Sequence, residues 1–179
     1  ENTQLPIFVT MTFEQNGRTF TGCSVEAMAA TLEGLGVDAM GVNCSLGPRE
    51  LRPIVERLCA ATRLPIIVKA NAGLPDPATG EYSITASEFA SLMEEYVDLG
   101  VAVMGGCCGT TPEYIREIVN RTEGKIPAPR MVNREALVCS PTETVYINGV
   151  RVIGERINPT GKKRFKQALI EGDMDYILH

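Results

Sequence analysis

A chain of 179 residues with 44% hydrophobic side chains has the length of one ordinary domain and enough apolar material for a core, which excludes a disordered segment. Its formal net charge of −5 leaves no basic face for nucleic acid or an anionic membrane surface, so a small-molecule ligand is the expected partner. No apolar run reaches the roughly 18–20 residues of a membrane span and no basic-then-apolar leader opens the chain, so the expected compartment is the cytoplasm.

Residues 6–13 form an apolar run, and residues 24–35 follow with helical spacing at Val25, Met28, Ala29 and Leu32. The same alternation recurs. Residues 37–42 read as a strand, and 49–61 as a helix with Leu51, Ile54, Val55 and Leu58 on one face. Residues 65–70 give a third strand, separated by a Pro/Gly-rich loop (73–80) from a helix over 86–99 that stops at Gly100. A short fourth strand at 102–104 leads to a helix running to about residue 121, with Thr111 as N-cap and Pro112 at its first position. Four strand–helix units in series predict a parallel sheet, and strands apolar on both faces predict that the sheet is covered. Periodicity leaves open whether this is a doubly wound sheet or half of an eight-fold barrel.

Residues 124–143 lack sustained periodicity and read as a linker. Beyond it, residues 144–147 and 150–153 are expected to pair as a β-hairpin about Asn148-Gly149, and Thr160 to cap a helix over 162–170 closed by Gly172. Glu1 in first position, and an amphipathic segment running into His179, lead to the expectation that both ends continue into something longer.

The chemistry lies in cysteine placement. Cys44 follows the second strand directly, and Cys107 and Cys108 follow the fourth, so all three project from the C-terminal edge of the sheet, where parallel α/β folds bind ligands. Three thiolates match the protein ligands of a catalytic zinc site that keeps a fourth position open. The single histidine is His179, so no imidazole from within the units competes for the role. An open position on sulfur-rich zinc suits a thiol substrate, which metal binding holds as the nucleophilic thiolate, and the predicted chemistry is alkyl transfer to sulfur. A vicinal disulfide between Cys107 and Cys108 is the competing reading of that pair. Cys23, Cys59 and Cys139 are expected to be packing residues.

Gly-Val-Asn-Cys at 41–44 and Gly-Gly-Cys-Cys-Gly-Thr-Thr-Pro at 105–112 resemble the zinc motifs of the homocysteine methyltransferases. The segment 152–161, Val-Ile-Gly-Glu-Arg-Ile-Asn-Pro-Thr-Gly, resembles the opening of the pterin-binding domain that follows the homocysteine barrel in cobalamin-dependent methionine synthases. The resemblance implies four βα units of a (β/α)8 TIM-type barrel over residues 1–123, a linker at 124–143, and the first β-hairpin and helix of a second, truncated barrel over 144–179. It implies Cys44, Cys107 and Cys108 as zinc ligands, Asn71 near the amino-acid moiety of homocysteine, and Asn158 near folate. It also implies homocysteine as substrate, methylcobalamin as methyl donor, and 5-methyltetrahydrofolate recharging the donor through further modules of the longer protein. Glu14, at the end of the first strand, is expected to be a solvated loop residue rather than the acid that receives the substrate ammonium.

Three other readings stay open at this stage. The same cysteine pattern occurs in betaine- and S-methylmethionine-dependent homocysteine methyltransferases. A phosphate-binding TIM-barrel enzyme would use Gly105-Gly106 and the helix beginning after Thr111. A non-catalytic zinc or interaction module would exploit self-association through the open barrel edges.

Overall fold

The computed structural model describes residues 3–132, 135–152 and 158–178. The chain divides into two compact units, Glu1–Ile147 and Asn148–His179. In the first, β1 (Phe8–Met11), α1 (Val25–Gly34), β2 (Ala39–Asn43), α2 (Pro48–Ala61), β3 (Ile66–Ala70), α3 (Ala86–Asp98), β4 (Val103–Gly106) and α4 (Pro112–Thr122) alternate. Then come β5 (Leu137–Cys139) and β6 (Thr144–Tyr146). The first four strands form one parallel sheet in chain order, β1-β2-β3-β4. This is an α/β fold of four βα units, in agreement with part of a TIM-type barrel.

Helix starts follow local chemistry. The Ser24 hydroxyl accepts the Ala27 N–H at 3.2 Å, and the Thr85 hydroxyl accepts that of Glu88 at 3.3 Å. Thr111 stands at the N-cap position of α4 but its side chain makes no capping bond; Pro112 opens that helix instead. On α2, Leu51, Ile54, Val55 and Leu58 turn inward and are buried, each contributing about 1.5–3 kcal/mol. They join Met40, Val42, Ile66 and Val68 of the sheet, and Phe89 and Met93 of α3, in one core.

The strand register sorts the other face. Thr10, Gly41, Ile67 and Val103 lie side by side across the sheet. A Cβ on Gly41 would sit 1.8 Å from the Ile67 carbonyl oxygen, so only glycine lets β2 lie this close to β3. At the edges of this face Phe8 is 61% and Val103 41% exposed, so the helices cover one side of the sheet while the opposite side is open at its margins.

Two expectations are corrected. The strand at Thr144–Tyr146 pairs antiparallel with Leu137–Cys139, and residues 150–152 form no strand. The turn lies at 140–143, where Ser140 Oγ accepts the N–H groups of Thr142 (3.3 Å) and Glu143 (3.0 Å), rather than at Asn148-Gly149. Much of the expected linker is accordingly docked on the first unit. Ala128 N–H donates to Val97 O at 2.9 Å, and Arg130 donates to the carbonyls of Arg63 (3.0 Å) and Leu64 (2.7 Å).

The second unit holds α5 (Lys163–Glu171) and α6 (Met174–Leu178). Lys162, not Thr160, is the N-cap of α5, and Gly172 closes the helix at φ +70° as expected. Arg164 stacks 4.5 Å from the centre of the Tyr176 ring. Half of the pterin-domain motif of 152–161, residues 153–157, lies outside the described residues. Among the described residues no helix is long and apolar enough to cross a membrane.

Candidate metal centre

The three cysteines converge. Cys44 ends β2's run, where its N–H donates to Lys69 O at 2.9 Å. Cys44 and Ser45 both adopt left-handed backbone, φ 62° and 64°, which costs a non-glycine residue about 1–3 kcal/mol and persists only where neighbours enforce it. The enforcing bonds are Leu46 N–H to Cys44 O (2.8 Å) and Asn71 N–H to Leu46 O (3.0 Å). Cys107 leaves β4 with its N–H on Ala70 O at 2.8 Å, and its carbonyl accepts the Thr110 hydroxyl at 2.7 Å. Cys108 is held by Asn71, whose Oδ1 accepts the Cys108 N–H at 3.1 Å, and by Ala72 N–H on its carbonyl at 2.9 Å.

The resulting Sγ atoms all lie within 4.8 Å of one another, with Cys44 and Cys108 at 3.5 Å. Three thiolates on a tetrahedral zinc at about 2.3 Å would stand roughly 3.8 Å apart, so the triad needs only small rotamer adjustments to hold such an ion. All six cysteines are free thiols, so the vicinal-disulfide reading of Cys107 and Cys108 is not what the structure adopts. An all-sulfur donor set favours a soft or borderline metal over magnesium or calcium.

The electrostatics of the cluster are asymmetric. Burial raises the Cys44 thiol, but hydrogen bonds from the Ser45 N–H, Cys107, Cys108 and Asn71 outweigh it and hold Cys44 below its ordinary value. Burial, followed by its bond to Cys44, pushes Cys107 up to about 11. Within the cluster the Cys44 thiol is thus lowered and the Cys107 thiol raised.

Other residues singled out from the sequence stand as follows. Asn71 is 4% exposed, and its amide bridges the two cysteine loops. Asn158 is exposed and its Oδ1 accepts the Thr160 N–H at 2.9 Å, a turn contact. Glu14 is an exposed loop residue whose backbone bonds are to Arg18 and Gly17. Cys59 is buried in the core, and Cys139 lies 3.5 Å from the Thr31 hydroxyl. A cavity of about 640 Å³ lined by Glu26, Glu33, Arg57, Arg63 and Tyr146 shares no residue with the cysteine cluster. Its charged lining includes the Glu26–Arg57 ion pair at 2.7 Å.

Two contributors escaped the sequence reading. Ser45 acts through its backbone N–H, which no side-chain pattern reveals. Tyr82 lies between the Pro/Gly-rich loop and α3, and its ring rests on Gly109, where a Cβ would come within 2.4 Å of the ring. An aromatic residue within a loop leaving the C-terminal end of a strand was the available signal.

The family model for homocysteine S-methyltransferase matches residues 1–122, the stretch that contains all three cysteines. The methionine synthase of Mycobacterium leprae (strain TN) is 36% identical over 185 residues, covering 97% of this chain and 15% of that protein. The methionine synthase of Mycobacterium tuberculosis (strain ATCC 25618 / H37Rv) is 35% identical over 180 residues, with the same coverage. The chain thus spans about 15% of the length of these curated relatives. A match over more than half its length, joined to a sulfur cluster at the C-terminal edge of a parallel βα sheet, places the chain in the homocysteine S-methyltransferase family.

Proposed function

We propose that this chain supplies the metal-binding part of an enzyme that transfers a methyl group to the sulfur of homocysteine, forming methionine. The observation that carries the reading is the convergence of Cys44, Cys107 and Cys108, all sulfurs within 4.8 Å, on one edge of the sheet. These three residues would hold zinc. When bound, zinc supplies a positive centre that keeps an incoming thiol deprotonated at neutral pH.

The chain's own groups prepare that site. Bonds from the Ser45 N–H and the Asn71 amide favour anionic sulfur at Cys44, and the Asn71 carbonyl oxygen ties the Cys108 loop to it. With three protein sulfurs as ligands, a bound zinc would have room left for the substrate sulfur. That sulfur's lone pair forms the new S–CH3 bond as the methyl group leaves its donor, and the thiol proton passes to solvent. Asn71 is also the residue proposed here to meet the substrate's amino-acid group.

The relatives' length and name support placing this chain in a longer protein. There residues 1–123 form half of a (β/α)8 barrel and the region from 144 opens the pterin-binding domain, with Asn158 facing folate. The exposed edges at Phe8 and Val103 fit a sheet continued by further strands. In that setting methylcobalamin is the methyl donor and 5-methyltetrahydrofolate recharges it, in the cytoplasm.

The test is methionine formation from homocysteine and methylcobalamin by the intact protein. Cys44→Ser and Cys108→Ser should each abolish both turnover and bound zinc. Full turnover in a zinc-free Cys108→Ser protein would overturn the proposal.

A further inference from the structure

Lys69 is the only charged residue in the four strands of the parallel sheet. A charge on a half-buried strand costs free energy unless an anion meets it. Alternation along β3 puts Lys69 on the same face as Ile67 and away from Val68, which belongs to the core under the helices. Its neighbours across the sheet are Asn43 and Gly105. A Cβ on Gly105 would sit 3.5 Å from Lys69 Cγ, so the lysine stem lies beside the space that the glycine leaves and leans toward β4.

The end of that stem is free to take an anion. Lys69 is half-buried, and among the described residues its ammonium has no hydrogen-bond or ion-pair partner. By contrast, the α2 arginines Arg49, Arg52 and Arg57 each pair with a glutamate. The metal-binding cysteines follow closely along the strands. Asn43 immediately precedes Cys44, and Gly105 stands two residues before Cys107, so at about 3.3 Å per residue the cysteine backbone lies roughly 3–7 Å beyond Lys69. The Lys69 carbonyl itself accepts the Cys44 N–H at 2.9 Å. The helix side is closed there by Val42 and Val68, both 0% exposed, which leaves the face of Lys69 and the rim beyond it for the tail of a thiol held at the sulfurs.

We propose that Lys69 is a specificity-determining residue of the sulfur site, its ammonium binding the carboxylate of the amino-acid thiol. The inference rests on the function proposed above and deepens it by naming the group that recognises one end of the substrate. A compact ammonium with three donors on a flexible four-carbon stem suits a carboxylate arriving on a short chain. A thiol without that carboxylate leaves the lysine unpaired, so discrimination against it is built into the site.

The experiment uses the intact, zinc-loaded protein and two thiols, homocysteine and 3-aminopropanethiol, which is homocysteine without its carboxylate. Calorimetry gives the Kd for each, and turnover with methylcobalamin gives kcat. The parent should bind homocysteine at least about tenfold more tightly, the size of one charge-assisted bond. Lys69→Met keeps the stem beside Gly105 and removes the charge. It should raise the Kd for homocysteine about 10- to 100-fold, leave kcat at saturation within about twofold, and leave the Kd for 3-aminopropanethiol and the bound zinc as in the parent. Lys69→Arg should restore most of the preference. A parent that binds the two thiols equally well overturns the proposal without any variant, and so does a Lys69→Met protein that weakens both to the same extent, the mark of a structural lysine. A parent that binds neither thiol overturns the function proposed above, and this inference with it.

Discussion

Replacing Asn71 by alanine tests how the two cysteine loops are held in register. The side chain is 4% exposed and its Oδ1 accepts the Cys108 N–H at 3.1 Å, and Asn71 is among the groups that lower the Cys44 thiol. Truncation leaves the Cys108 N–H without its acceptor, at a cost of about 1–3 kcal/mol, and removes one of the groups that lower Cys44. What remains between the loops is backbone pairing, chiefly Ala72 N–H to Cys108 O. Zinc affinity should fall about 10- to 100-fold, equivalent to about 1.4–2.8 kcal/mol. Competition against a chromophoric chelator reads the affinity, and thermal unfolding of the metal-free protein reads the stability. Asn71→Asp restores the acceptor for Cys108 but sets a carboxylate beside the thiolates, so it should recover more of the stability than of the affinity. Affinity within twofold of the parent for Asn71→Ala would refute this role.

Three further outcomes follow from the fold. Gly41→Ala drives a methyl group into the Ile67 carbonyl, and the unfolding midpoint should drop by an amount equivalent to at least about 2 kcal/mol. The Arg57 guanidinium beside Glu26 holds that carboxyl below the usual carboxylate range, so the pair's contribution is present above the ordinary pKa and lost as pH falls through the lowered one. Glu26→Gln should therefore cost about 1 kcal/mol or less near neutral pH, and the difference from the parent should vanish in acid unfolding curves below the lowered pKa. Thr160→Ala should leave the stability of α5 unchanged within about 0.5 kcal/mol, measured by circular dichroism, because Lys162 is the N-cap.

The strand–helix series was legible because buried strands and amphipathic helices carry their periods in the sequence; Leu51, Ile54, Val55 and Leu58 mark α2 on spacing alone, and all four are buried. The cysteine cluster was legible for a related reason, since residues directly after parallel strands share one edge. What escaped lies where conformation is set by partners distant in the chain. Leu137–Cys139 is too short to show alternation and becomes a strand by pairing with Thr144–Tyr146 and packing on α1, so Asn148-Gly149, the stronger turn signal, drew the hairpin to the wrong place. Arg130 anchors a prolyl segment that composition alone marks as a tether. The left-handed backbone at Cys44 and Ser45 contradicts their intrinsic preference and arises from the bonds of Leu46, Asn71 and Lys69 around them.

X-ray absorption at the zinc edge, recorded on the metal-loaded protein before and after homocysteine is added, reads the shared sulfur site directly. Three sulfur neighbours at about 2.3 Å, rising to four with homocysteine, is the predicted result, with no bound zinc left in Cys44→Ser. Two or fewer sulfurs in the parent, or a shell that ignores homocysteine, would contradict it.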